Sequence, residues 1–434
     1  MKAAFYTLGC KVNQYETQIM EQRLAQAGYE IVGSGEPADV YIVNSCTVTG
    51  ESDRKTRQAL RRLRAQNPAA VTVLSGCFPQ SSPDKAASFT EADVVTGVLG
   101  RTRIDELIAQ ARSTGRRVVA IDGFSRGEAF EPMRAAGFEG HTRAFIKIED
   151  GCASYCSYCI IPYSRGPVRS KPPEEIKDEA AELAAKGYRE IVLVGINLSS
   201  YGTDLGGQAR SAGLCGAAEA AASAPGVGRI RLGSLEPNVV TPEFLARMKS
   251  CEKLCPQFHL SLQSGCAATL RRMKRRYTPD SYLAAINALR GCFPSCGITT
   301  DIIVGFPGET PEEFAQSLAF AEIAGFSQGH VFPYSRRGGT PAASMPNQIP
   351  RAEKERRAKL MSQVCAQSRA KFLAGLTGSV QSVLFEESKD GFITGFAPNY
   401  AQVRVRGGAE LHGVTADVRI TGSDGSVCSG ELTG

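Results

Sequence analysis

Short apolar runs at 3–6, 40–43, 71–74 and 94–95 alternate with stretches of helical periodicity near 14–27, 51–65 and 102–112. That alternation predicts a doubly wound parallel α/β domain over residues 1–121. A glycine- and charge-rich stretch, 122–143, reads as a linker. Strand and helix signals then resume, with strands near 144–149, 190–194, 229–232, 258–262, 299–304 and 329–333. Between them Thr241-Pro, Thr278-Pro and Thr310-Pro each set an N-cap threonine before a first-turn proline, and Glu313 completes a capping box with Thr310. Six βα units predict an incomplete (β/α)6 barrel over 144–375, closed by a basic helix near 351–373, with its working rim at the strand C-termini. Five short runs at 380–385, 392–396, 402–405, 416–420 and 426–430 predict a small antiparallel β-barrel over 376–434.

Composition narrows the setting. In 434 residues, 42% hydrophobic and 22% charged, there is enough apolar material for two or three cores. The start carries no apolar leader and no run is long enough to span a bilayer, so a cytoplasmic protein without a membrane partner is expected. In a reducing compartment, fourteen cysteines point to metal, redox or buried roles instead of a disulfide framework. The net charge of +6 conceals two basic runs, one from Arg54 to Arg64 and one from Arg271 to Arg276. Arg54, Arg57, Arg61 and Arg64 share one helix face, which suits a phosphate track as well as an ordinary solvated surface.

The cysteine spacing carries the chemistry. Cys152, Cys156 and Cys159 form a CxxxCxxC loop directly after the first barrel strand. Three thiolates can hold a four-iron cluster that normally takes four, which leaves one iron open for chemistry. A zinc knuckle short of a ligand, or three unrelated buried thiols, are the plainer readings. Cys10, Cys46 and Cys77 each follow a different strand of the first domain. The ligand crevice of an open α/β sheet lies beyond its strand C-termini, so these three can converge on a second cluster; buried structural thiols are the alternative.

Together these motifs resemble a known family. The run from Gly151 to Gly166 is similar to the cluster loop of the methylthiotransferase branch of radical S-adenosylmethionine enzymes. The stretches 7–16, 44–49 and 330–335 look most like the subgroup that modifies threonylcarbamoyladenosine in tRNA, and the tail resembles the RNA-binding TRAM module. Leu8-Gly-Cys-Lys-Val-Asn13 matches neither the pattern usual in the isopentenyladenosine branch nor that of the ribosomal-protein branch. Cys266 departs from the family pattern, and the pairs Cys251/Cys255 and Cys292/Cys296 fall outside its ligand set.

The resemblance implies methylthiolation at C2 of the modified adenosine at position 37 of a tRNA anticodon loop. Acid–base chemistry has little purchase on that C–H bond, so the work falls to cofactors. It implies two [4Fe-4S] clusters, on Cys152/Cys156/Cys159 and on Cys10/Cys46/Cys77, with S-adenosyl-L-methionine as both radical source and methyl donor. Tyr158, Gly195, Asn197, Glu236 and Gln263 are the expected cofactor contacts, with no catalytic residue beyond the cluster ligands. Expected partners are the tRNA anticodon loop, an electron donor such as flavodoxin or ferredoxin, and a sulfur source. Methylthiolation of a ribosomal-protein aspartate, or a non-catalytic iron–sulfur RNA sensor, are the competing functions.

Overall fold

The computed structural model describes residues 1–125, 127–138 and 140–433; Arg126 and Glu139 of the predicted linker lie outside the described residues. Six parallel strands form the amino-terminal sheet: β1 (Lys2–Thr7), β2 (Glu30–Val32), β3 (Val40–Ser45), β4 (Val71–Gly76), β5 (Val94–Thr96) and β6 (Val118–Ala120). Their order is β2-β1-β3-β4-β5-β6. The sequence pattern misses β2 and β6, both edge strands of only three residues, too short to set up a periodicity. Central strand β3 is buried throughout, and its alternate residues feed two cores. Tyr41 and Val43 meet Leu60 and Leu63 of helix α2 (Gly50–Gln66), whereas Val40 and Ile42 meet Met20 and Leu24 of helix α1 (Lys11–Gln26). Helices on both faces of an all-parallel sheet explain these continuous apolar runs.

The barrel strands are Arg143–Lys147, Glu190–Val194, Arg229–Leu232 with its continuation Ser234–Leu235, Gln257–Leu260, Gly297–Val304 and Gln328–Pro333. Every neighbouring pair is parallel, and among the described residues the first and last strands do not pair, so the barrel is open on that side. The predicted helix starts form: the Thr241, Thr278 and Thr310 side chains accept from the backbone N–H three residues on. Each such cap contributes about 1 kcal/mol.

The tail closes into a five-stranded barrel from Val380–Lys389, Phe392–Phe396, Gln402–Arg406, Thr415–Ser423 and Cys428–Leu432. The expectation of a purely antiparallel barrel is corrected at one seam, where Gln402–Arg406 and Cys428–Leu432 run parallel. It docks on the floor of the central barrel. Arg229 donates to the carbonyls of Ser382 and Phe396, each at 3.0 Å, and Arg231 to that of Pro398 at 2.8 Å. Both arginines also pair with buried Glu190, so the charge is neutralised where the two barrels meet.

A second buried charge cluster joins the amino-terminal sheet to the open side of the barrel. Glu16 of α1 is fully buried and receives Arg165 at 2.6 Å, Lys147 at 2.7 Å and Arg101 at 3.0 Å. Asp150 pairs with the same Lys147 and Arg165, at 2.6 and 3.1 Å. Burial alone would raise the Glu16 carboxyl, but Arg101, Arg165 and Lys147 hold it down at about 2. Because the folded-state value is depressed, this stabilisation is complete above the ordinary glutamate range and is lost as pH falls through about 2. Replacing Glu16 with Gln leaves buried Arg101 without its acidic partner and Lys147 and Arg165 with Asp150 alone, and is expected to cost about 3–5 kcal/mol in denaturant unfolding at neutral pH. The penalty should shrink as the pH is lowered toward the wild-type acid transition.

Candidate active site

The three amino-terminal cysteines gather over the C-terminal edge of the first sheet. Cys10 is the N-cap of α1, Cys46 follows β3, and Cys77 opens the short helix Cys77–Ser81 after β4. Two glycines permit the turns. Gly9 has φ +116° and a Cβ there would lie 3.0 Å from that of Cys46; Gly76 has φ +104° and a Cβ would come within 2.5 Å of the Ser45 carbonyl. Only glycine adopts such conformations freely. Asn13 organises the floor: its side chain accepts from Cys10 Sγ at 3.3 Å and from Arg165 at 3.2 Å, and donates to the Ser45 carbonyl at 3.1 Å. Burial pushes the Cys10 thiol up and Cys77 up to about 12, while the charge of Arg165 opposes the rise at both. The side chain that binds Glu16 therefore also acts on the Cys10 and Cys77 thiols.

The CxxxCxxC loop lies between the first barrel strand and the short helix Ile161–Arg165. Cys159 N–H donates to the Cys156 carbonyl at 3.0 Å, and burial pushes the Cys159 thiol up to about 12 and raises that of Cys152. Arg275 arrives from the far side of the barrel, donating to Cys156 Sγ at 3.1 Å and pairing with Glu236 at 3.1 Å. The Tyr277 ring, 4.8 Å from the guanidinium, fixes its plane. Beside Cys152, Glu149 is buried; its Oε2 accepts from Asn197 N–H at 2.8 Å, but Oε1 has no partner among the described residues. Desolvation raises the Glu149 carboxyl well above the usual range.

Both sets offer sulfur donors alone, the ligand chemistry of an iron–sulfur cluster. Among the described residues, no three His, Cys, Asp or Glu side chains gather tightly enough to hold one metal ion. Thiolates of a four-iron cluster sit on separate irons, so they stand further apart than the ligands of one ion. Each thiol set lies beside an arginine, and burial raises the thiols of Cys10 and Cys77 in one and of Cys152 and Cys159 in the other, so that binding a metal would release their protons. The orphaned Glu149 Oε1 offers a polar contact to a group bound beside the second set.

Two cavities join the sets. One of about 250 Å³ is lined by Tyr158, Cys159, Gln263, Asp301 and Phe332, and also by Val48 and Thr49 just past Cys46. The other, about 460 Å³, is lined by Cys10, Lys11, Gly195, His259, Asp301, His330, Phe332 and Tyr400. Asp301 and Phe332 stand in both walls, so the two spaces adjoin inside the barrel mouth. Cys10 is exposed even though it lies inside the molecule, as expected of a side chain facing an internal cavity. A larger groove, about 940 Å³, runs between tail and barrel floor and is lined by Arg189, Arg229 and Lys253, away from both thiol sets.

Of the predicted cofactor contacts, Tyr158 and Gln263 line the cavity at Cys159 and Gly195 lines the cavity at Cys10. Asn197 and Glu236 act through neighbours, Asn197 on Glu149 and Glu236 on Arg275. Arg165 lies in the run 151–166 and Arg275 in the basic run 271–276, but their roles, like that of Glu149, leave no sequence signal because their partners are distant along the chain. The basic runs prove less free than their composition implies. Arg54 pairs with Glu51, Arg61 with Glu91 and Arg64 with Asp93, while Arg57 lies over the Phe89 ring at 4.8 Å. In the second run Arg272 pairs with Glu313 and Arg275 turns inward, leaving Arg271, Lys274 and Arg276 exposed. Tyr400 of the tail lines the larger cavity. Cys251, Cys255, Cys266, Cys292 and Cys296 are free thiols, and none lines either cavity.

Residues 146–321 match the Radical SAM superfamily and residues 2–97 match the Uncharacterized protein family UPF0004. Fold, thiols and match place the chain among the radical SAM enzymes. A threonylcarbamoyladenosine tRNA methylthiotransferase of Bacillus subtilis is 36% identical over 96% of this chain and 93% of its own length. One from Thermotoga maritima is 37% identical over 94% of this chain and 92% of its own. A tRNA-2-methylthio-N(6)-dimethylallyladenosine synthase of Natranaerobius thermophilus is 33% identical over 96% and 94%. The radical S-adenosylmethionine methyltransferase TsrM of Kitasatospora setae shares the fold, with a TM-score of 0.56 and 17% identity over 79% of this chain and 75% of that one. The chain belongs to the radical SAM methylthiotransferase family.

Arg275 supplies a direct handle on the second thiol set. A hydrogen bond from a cation to a ligand sulfur favours the reduced, more negative cluster. Arg275→Met is expected to move the midpoint potential of that cluster to more negative values in an EPR-monitored redox titration, and Arg275→Lys to move it less.

Proposed function

We propose that this chain methylthiolates C2 of N6-threonylcarbamoyladenosine at position 37 of the tRNA anticodon loop. The observation that carries the reading is that one cysteine of each three-cysteine set, Cys159 and Cys10, lines one of two adjoining cavities at the barrel mouth. The methylthiotransferase relatives, identical at 36–37% over nearly the whole chain, support the substrate. Cys152, Cys156 and Cys159 hold one [4Fe-4S] cluster and Cys10, Cys46 and Cys77 the other. Bound there, the clusters and S-adenosyl-L-methionine supply the radical that opens the C–H bond and the methylated sulfur that replaces the hydrogen.

The chain's own residues bind, orient and exclude water. Tyr158 and Gln263 flank Cys159 where the nucleoside part of S-adenosylmethionine would lie, and Gly195 leaves room beside Glu149, since a Cβ there would meet the carboxylate at 2.7 Å. Glu236 holds Arg275 against Cys156, and Asn197 holds Glu149. The walls supplied by Phe332, Ile303 and Tyr158 keep the smaller space largely apolar and shield a reactive species from solvent. An unstacked anticodon-loop base enters such a mouth without melting a duplex.

The same reading divides the chain at about residues 121, 143 and 375, with the tail as a TRAM module. The chemistry requires single electrons, which fits a flavodoxin or ferredoxin as donor, together with a separate sulfur source. A cytoplasmic location is supported by a tRNA substrate and by fourteen free cysteines. Among the described residues, no helix is long and apolar enough to cross a membrane.

Nucleoside mass spectrometry of tRNA from cells lacking the gene tests the reading. The methylthio group on threonylcarbamoyladenosine should vanish and return with the wild-type gene. A change confined to dimethylallyladenosine, or an unchanged profile with a modified ribosomal protein, would overturn it. In purified enzyme, replacing Cys10, Cys46 and Cys77 together by Ala should abolish methylthiolation while S-adenosylmethionine cleavage persists. Replacing Cys152, Cys156 and Cys159 should abolish both.

A further inference from the structure

Next to Cys10 the larger cavity carries a cation that the protein itself does not neutralise. Lys11 is exposed, yet it lines that interior space, and among the described residues no carboxylate lies within ion-pair distance of its ammonium. The Phe145 ring lies 5.9 Å from Nζ to centroid, and the charges of Tyr400, Arg143, Arg231 and Glu190 act on the ammonium from further off.

The arginines behind the Tyr400 wall are already matched, Arg143 with Glu386 at 2.7 Å and Arg231 with Glu190 at 2.7 Å. Asp301 lies 3.3 Å from His259 across the cavity, an ion pair only when that imidazole is protonated. Tyr400 is packed between the two arginines, 4.9 Å from the Arg231 guanidinium and 5.6 Å from that of Arg143. Helix α1 also begins at this wall, with no side-chain cap and no acidic residue in its first turn, so its partial positive charge adds to that of Lys11. An unmatched cation on an internal wall favours an anionic guest, because a charge partly removed from water gains most from a partner that arrives with the ligand.

We propose that Lys11 recognises the carboxylate of the threonylcarbamoyl group and thereby selects that nucleoside over adenosines whose N6 substituent is uncharged. The inference rests on the functional reading above, and it adds the residue and the charge by which the substrate is told apart. Lys11 lies one residue from a thiol of the amino-terminal set, so a base anchored there by its N6 substituent presents its ring to that set. His330 and Gln328, on alternate positions of the last barrel strand, line the same wall and offer further polar contacts.

The test uses full-length enzyme and anticodon stem-loop oligonucleotides carrying threonylcarbamoyladenosine, its methyl ester, dimethylallyladenosine or unmodified adenosine at position 37. Binding is read by fluorescence anisotropy, and methylthiolation of the same oligonucleotides by mass spectrometry. Wild-type enzyme should bind the free acid about 10- to 100-fold more tightly than the ester, the range for one charge-assisted hydrogen bond. Lys11→Ala should erase that ratio without changing affinity for the unmodified stem-loop, and Lys11→Arg should retain most of it. Equal weakening on all four oligonucleotides would make Lys11 a backbone-phosphate contact and would overturn the proposal, as would an unchanged ratio. Wild-type methylthiolation of the dimethylallyl oligonucleotide alone would refute the functional reading and the proposal together. Normal activity on the threonylcarbamoyl oligonucleotide with an unchanged ratio in Lys11→Ala would refute the proposal alone.

Discussion

The burial of Glu16 among Arg101, Lys147 and Arg165 is the constraint on which the rest of the structure depends. These four side chains come from an amino-terminal helix, the turn after β5, the first barrel strand and the helix after the CxxxCxxC loop. A buried ion cluster of this kind offers little net stability over a well-packed apolar contact, but removing any one member is costly. Its return is geometric. It fixes the amino-terminal sheet against the open side of the barrel, and through Arg165 and Asn13 it reaches the Cys10 thiol. Cys10 of one set and Cys159 of the other then face adjoining spaces.

Much of this was legible in the sequence wherever information is local. Strand periodicity located every barrel strand, threonine-proline pairs marked helix starts that form with the expected caps, and the six cysteines stand at the strand ends and loop where the spacing put them. What escaped depends on partners distant along the chain. Arg275 meets Cys156 across 119 residues, and Arg165 meets Glu16 across 149. The basic run at 54–64 looked like free charge because Glu91 and Asp93, which neutralise Arg61 and Arg64, come about thirty residues later. Strand order is likewise non-local, and the parallel seam in the tail barrel leaves no trace in alternation.

The tail is more than an appended surface. Its Tyr400 closes the floor of the larger cavity between Arg143 and Arg231, whose acidic partners Glu190 and Glu386 come from the core and from the tail itself. The shape of the space beneath Cys10 therefore depends on all three units of the chain. On the proposed reading, specificity for the nucleoside and placement of the amino-terminal thiols are set by one packed interior, while the exposed cations Arg271, Lys274 and Arg276 remain available to phosphates outside it.

The central claim is that each three-cysteine set holds its own cluster and that the two lie close together. Iron analysis with EPR on anaerobically reconstituted, reduced protein tests it most directly. The account predicts about eight iron atoms per chain, about four when either set of three cysteines is replaced, and a magnetic interaction between the clusters that both replacements remove. About four irons in the intact protein, unaffected by replacing Cys10, Cys46 and Cys77, would contradict it.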